Sequence, residues 1–190
     1  MHENLRMKGL MLLIISFYIT ACRAQKPITK IIANQVKSSE ATCRLEKPDV
    51  NATKVINLNN KLTSVKQMAP KLPPGVLIPG YINVDEKLLA KICSRNLSDN
   101  TLRNLPQGYG DFLSIDIKIN TMGIPLEMVF VLKNTSPITP EEIKQIEVDI
   151  KKSFKVTFKY GIEKYFDGAN YFNVYAYVRY SDMLKVKEGN

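Results

Sequence analysis

The sequence predicts an α+β fold: an antiparallel sheet built from two hairpins that flank a capped helix, with a second helix N-terminal to them. Three observations carry that expectation. Residues 111–132 hold two alternating apolar runs on either side of a turn, Thr139-Pro140-Glu141-Glu142 opens a helix, and Asp167-Gly168 stands before an aromatic-rich strand.

Taken in order, the chain begins with a targeting signal. Arg6 and Lys8 precede an apolar run over residues 10–21, long enough for a signal-peptide core and too short to span a bilayer as a helix. The run ends Ile19-Thr20-Ala21-Cys22, which resembles the lipobox of bacterial lipoproteins, and the resemblance implies cleavage after residue 21, acylation of Cys22 and attachment to a membrane by an anchor. The competing reading is soluble secretion after cleavage following Ala24. The leader looks like that of small Bacteroidetes lipoproteins; the absence of an acidic cluster after Cys22 implies, by that resemblance, an outer-membrane lipoprotein facing the periplasm.

The chain has 190 residues, 45% of them hydrophobic, which suits one packed domain plus an arm. Its formal net charge is +9, and about +8 remains once residues 1–21 are removed. That excess suits anionic surfaces or simply keeps the protein soluble; an exported chain argues against nucleic acid. Residues 22–74 show no sustained period and are polar around Lys37, Ser38, Lys47 and Asp49, so they read as a tether, with a short strand near Val55 and Ile56. Pro70, Pro73 and Pro74 mark its end, which places the domain at residues 75–190. Cys43 and Cys93 remain after either cleavage; they form a candidate disulfide, or else two separate buried thiols.

Asp85 caps a helix with Leu88, Leu89, Ile92 and Cys93 along one stripe. Leu113, Ile115, Ile117 and Ile119 then share one face of a strand, with Ser114, Asp116 and Lys118 on the other. In the following strand Leu126, Met128, Phe130 and Leu132 alternate while Val129 and Val131 make the opposite face apolar too, so it belongs in the middle of the sheet. Thr139 supplies a cap, Pro140 the first helical position and Glu142 a capping box; Ile143, Ile146, Ile150 and Phe154 form the apolar side. Val156, Phe158 and Tyr160 read as the next strand, and Asp167-Gly168 as a tight turn into the last. There Phe172, Val174, Ala176 and Val178 face inward, and Tyr171, Tyr175, Tyr177 and Arg179 face out.

This order of Ile115-Asp116-Ile117-Lys118-Ile119, Gly123, Val129-Phe130-Val131, the helix to Phe154, and Asp167-Gly168 resembles the C-terminal domain of TonB-type energy transducers. The resemblance covers about seventy residues. It implies a domain that binds protein through a sheet edge. It does not imply energy transduction, because the uncleaved membrane helix and Pro-rich linker of that family are missing.

The only histidine, His2, lies in the leader, so the exported chain has no imidazole for acid–base, nucleophilic or metal chemistry. Cys43 and Cys93 lack metal-ligand spacing, and no Gly-rich phosphate loop is present, so neither metal nor cofactor is expected. Glu141 with Glu142, Glu147 with Asp149, and Ser153 beside Lys152 are the remaining candidates for chemistry; each fits a solvated helix face. The sequence therefore predicts a non-enzymatic, lipid-anchored envelope protein that binds a protein or glycan, with Tyr171, Tyr175, Tyr177 and Arg179 as the candidate face. The other reading of these tyrosines is that they pair across the sheet with Phe158 and Tyr160 or lie beneath the N-terminal arm. The alternatives are an envelope enzyme using carboxylates or a Ser-Lys couple, and a secreted inhibitor or assembly subunit.

Overall fold

The computed structural model describes residues 26–39 and 41–189, and in them the chain runs in the following order. Strands β1 (Gln35–Lys37), β2 (Thr42–Glu46) and β3 (Ala52–Asn57) come first, then β4 (Ile82–Asn83) and helices α1 (Glu86–Asn96) and α2 (Asp99–Arg103). Strands β5 (Phe112–Ile119) and β6 (Pro125–Lys133) lead to helix α3 (Pro140–Ser153), followed by β7 (Thr157–Phe158), β8 (Phe172–Arg179) and helix α4 (Tyr180–Lys187). Six strands form one sheet in the order β1-β2-β3-β6-β5-β8, antiparallel at every pairing, and β4 pairs with β7 in a separate ribbon. The fold is α+β, as expected, and β6 is central.

Helices α1 and α3 pack on each other and on the sheet, with α4 beside α1, so one face of the sheet is covered. The alternation of β5 puts Leu113, Ile115, Ile117 and Ile119 into that core, where none has exposed area. Ile143, Ile146, Ile150 and Phe154 meet them from α3. The capping box is formed: Thr139 Oγ1 accepts from the Glu142 N–H at 3.3 Å, and Glu142 Oε2 accepts from the Thr139 N–H at 2.8 Å. Asp85 caps α1 by accepting from the Leu88 N–H at 2.9 Å. The leader and Cys22 lie outside the described residues. Among the described residues, no helix is long and apolar enough to cross a membrane.

Three expectations change. Residues 22–74 are not simply a tether, because residues 35–57 supply half the strands of the sheet. Cys43, Leu45 and Val55 point into the core while Arg44, Glu46 and Lys54 pair on the other face, so the polar content of the stretch is that of a half-exposed sheet margin. The second hairpin does not form either. The Val156 N–H donates to the Gly123 carbonyl at 2.9 Å, which pins the chain at the end of the sheet, and β7 then meets β4. Strand β8 pairs with β5 instead, and Tyr180 leaves the strand to open α4, a helix the sequence reading missed.

The third change concerns the cysteines, which are free thiols and not a disulfide. Cys43 lies on β2, near Lys144 and Glu147 of α3, whereas Cys93 lies on α1, which packs against β8 at the far side of the sheet. Burial pushes the Cys43 thiol up to about 11 and the Cys93 thiol up to about 12, so neither is a thiolate near neutral pH. Neither thiol should react with maleimide in the native protein, and both should react in guanidinium without reductant. Intact mass reads the result; fast native labelling, or labelling that needs reductant, would contradict this placement.

Candidate functional site

Because β7 turns away, β8 has a neighbour on one side only. Residues of an antiparallel strand alternate between bonding their partner and pointing their N–H and C=O away from it. The Tyr180 N–H donates to the Asp111 carbonyl at 3.2 Å, which sets the phase. Val178, Ala176, Val174 and Phe172 therefore bond β5, and Asn173, Tyr175, Tyr177 and Arg179 turn their backbone groups to the open side. Among the described residues nothing pairs with the outward backbone groups of Asn173, Tyr175 and Tyr177, whereas Arg179 is the N-cap of α4 and its carbonyl accepts that helix's first bond. Side chains alternate with the same period, so these four residues also carry the outer-face side chains.

The outer face is aromatic and sparsely covered. Tyr175 is 60% exposed and Tyr177 is 51% exposed. Tyr177 meets Phe112 edge-on, with ring centroids 5.2 Å apart at 84°, and the Arg179 guanidinium lies 5.9 Å from the centroid of the Tyr109 ring. A cleft of about 470 Å³ separates β8 from Lys87 and Ala90 of α1 and Asp182 and Lys185 of α4. Tyr177, Val178 and Arg179 all line it. Consecutive residues face opposite sides of a sheet, so all three reach one cleft only at a free margin. A second cleft, of about 340 Å³, shares Tyr177 and Arg179 and is bounded by residues 107–112. Asp111 holds that loop: its carboxylate accepts from the Gly108 N–H at 2.6 Å and from Lys133 Nζ at 2.5 Å, which keeps its pKa below the usual value.

Tyr171 does not belong to the exposed face. A strap over residues 58–68 crosses the outer side of the sheet and buries it to 3% exposure. The Tyr171 hydroxyl donates to the Val65 carbonyl at 2.8 Å, and Lys118 Nζ stands 4.4 Å from its ring centroid. The Glu127 carboxylate accepts from the Lys61 and Leu62 N–H groups and fastens the strap. Gln67 closes it over the start of β8, donating to the Tyr171 carbonyl at 3.2 Å and accepting from Asn173 Nδ2 at 2.9 Å.

Asp116, a polar outer-face residue of β5 in the sequence pattern, sits opposite Tyr175 of β8 on one side and Val129 of β6 on the other. Its Oδ1 is buried with no hydrogen-bond partner. Burial pushes its pKa up, while Lys118 and Lys54 pull it back. A carboxylate whose folded pKa is raised costs stability above that pKa, and the cost vanishes as pH falls below the unfolded value near 3.8. Asp116→Asn should raise stability at neutral pH by on the order of 1 kcal/mol. Denaturation midpoints of the two proteins should converge in acid; a gap that persists there would mean that charge is not the cause.

The carboxylates named as candidates for chemistry each accept hydrogen bonds from neighbouring elements. Glu142 caps α3, and Glu141 accepts from the Ser39 N–H and hydroxyl at 2.9 and 2.7 Å. Glu147 accepts from Asn57 and Lys151, while Asp149 accepts from Arg95 and Asn96. The Ser153 hydroxyl donates to the Asp149 carbonyl. No cluster of three or more histidine, cysteine or acidic side chains able to hold a metal occurs among the described residues.

No family model matches the chain, and no curated protein does. Among solved structures, the chain is similar to a DUF5043 family protein from Bacteroides uniformis ATCC 8492, with a TM-score of 0.59 and 16% sequence identity. The match covers 83% of this chain and 89% of that one. At that identity the likeness establishes a shared fold, which extends across most of both chains.

Proposed function

We propose that the protein is a non-enzymatic, lipid-anchored component of a bacterial cell envelope that faces the periplasm and captures an extended segment of a partner protein along the free side of β8. The observation that supports capture is the coincidence, on Tyr175 and Tyr177, of outward backbone groups with exposed side chains, next to a cleft lined by Tyr177 and Arg179. A peptide laid there adds a strand: main-chain bonds hold it, and Tyr175 and Tyr177 cover its alternate side chains. The exposed rings also suit a sugar, but unpaired N–H and C=O groups at strand spacing favour a peptide. The anchor rests on Cys22 and its leader, and the non-enzymatic assignment on a chain whose only histidine is His2.

The test uses peptides selected from a random library. Tyr175→Pro removes one outward N–H and leaves the ladder to β5 intact, as proline is tolerated on a sheet margin. It should weaken the selected peptides roughly tenfold or more, and those peptides should slow amide exchange at Tyr175 and Tyr177 in the parent protein. Unchanged affinity for the proline variant, with both amides still exchanging fast, would refute capture at this strand.

A further inference from the structure

The two ends of the sheet are not equivalent in where the chain arrives. One end gathers the start of β1, the β2–β3 turn, the β6–α3 connection and the loop before β5. Asn134 donates to the Asn51 carbonyl, Leu45 to that of Asn34, and Ile28 to that of Ile138, which brings residues 28–34 to this end. Thr29 Oγ1 adds a bond to the Ser136 carbonyl at 2.9 Å. The large apolar side chains at the tips of these loops are almost bare: Ile32 is 90% exposed, Val50 is 87% and Tyr109 is 99%. Lys26, Lys30 and Lys47 are exposed beside them; of the acidic neighbours, Glu46 pairs with Arg44 and Lys54, and Asp49 has its carboxylate turned to the Asn51 N–H at 2.6 Å.

We propose that this end of the sheet rests on an anionic lipid bilayer, with Ile32, Val50 and Tyr109 at headgroup depth and Lys26, Lys30 and Lys47 against the lipid phosphates. The inference deepens the anchored reading above and rests on it. Ile28 lies six residues after Cys22, so an acyl group on Cys22 holds Ile28 within about 20 Å of the membrane even with the intervening chain fully extended. The opposite end lies one strand length further, about 27 Å for the eight residues of β5. That end also exposes apolar groups, including Met122 and Tyr160, so apolar exposure alone does not choose between the ends. The point of attachment does. Lysines flanking apolar tips are the arrangement that anionic headgroups attract.

The experiment places a nitroxide on the full acylated chain in vesicles of phosphatidylglycerol and phosphatidylethanolamine, through Val50→Cys, Tyr109→Cys, Met122→Cys or Tyr160→Cys in turn. All four sites are more than half exposed, and Cys43 and Cys93 are buried from the label. Labels at 50 and 109 should be shielded from a water-soluble nickel relaxant and open to oxygen, and those at 122 and 160 should behave as in water. Lys26→Glu, Lys30→Glu and Lys47→Glu together should return labels 50 and 109 to water while the protein stays on the vesicles. Anchored protein with all four labels in water, immersion of 122 and 160 instead, or depth indifferent to the charge reversal would overturn the orientation alone. Protein that leaves the vesicles with no fatty acid on Cys22 would overturn the anchor and the orientation together.

Discussion

Gly123→Ala is expected to lower stability by about 4 kcal/mol or more, enough to leave much of the protein unfolded. Two costs combine at this position. Gly123 has φ +80°, where an L side chain is strained, and a Cβ there would stand 2.0 Å from the Val156 carbonyl oxygen. That oxygen belongs to backbone, so no rotamer change relieves the clash. Moving the backbone apart would also break the Val156 N–H bond to the Gly123 carbonyl, which docks the end of α3 and β7 against the β5–β6 turn. Gly168→Ala is the control: its φ is +76°, but a Cβ there meets nothing within 4 Å, so strain alone should cost about 1 kcal/mol. Equal losses in urea denaturation for the two variants would show that close packing at Val156 contributes nothing.

Asn57→Ala is expected to cost about 3 kcal/mol. Asn57 Nδ2 donates to both Glu147 carboxylate oxygens, at 3.2 and 3.0 Å, and Glu147 is 2% exposed between β3 and α3. Without the amide, the carboxylate keeps, among the described residues, Lys151 alone, whose ammonium bonds Oε1 at 2.6 Å. A buried charge stripped of a partner cannot recover its hydration. Removing both groups, as Asn57→Ala with Glu147→Leu, should therefore cost less than the sum of the single changes by about 1 to 3 kcal/mol. Additive losses in the double-mutant cycle would mean that the two side chains act independently.

These residues also separate what is readable in a chain from what is not. The capping box at Thr139 and the alternation of β5 are local: three or four neighbours specify them, and both stand as read. The placement of β8 is not local. Asp167-Gly168 is a sound turn signal, and Gly168 does adopt a positive φ, but a turn does not say which strand lies beside the one it introduces. That was decided by Gly123, whose missing side chain lets Val156 dock. Strands β1 and β2 are hidden for a related reason, and β3 shows only as a short strand near Val55 and Ile56: each is short, and their apolar residues become meaningful only against β6 and α3. At the candidate site, Tyr175, Tyr177 and Arg179 were legible as the outer side of a strand. For Tyr171 the alternative of burial beneath the N-terminal arm holds, because its cover arrives from a hundred residues away. Asp116 looked like one more polar alternate until Val129 and Tyr175 closed around it.

The strap over residues 58–68 has a consequence for growth of the sheet. A long bare flank that can zip onto a copy of itself is a seed for polymerisation. By clipping Gln67 onto Tyr171 and Asn173, the strap leaves a berth only a few residues long, and at its far end the strand gives way to α4 at Tyr180. A guest strand can moor in such a berth, but it offers no room for an endless stack.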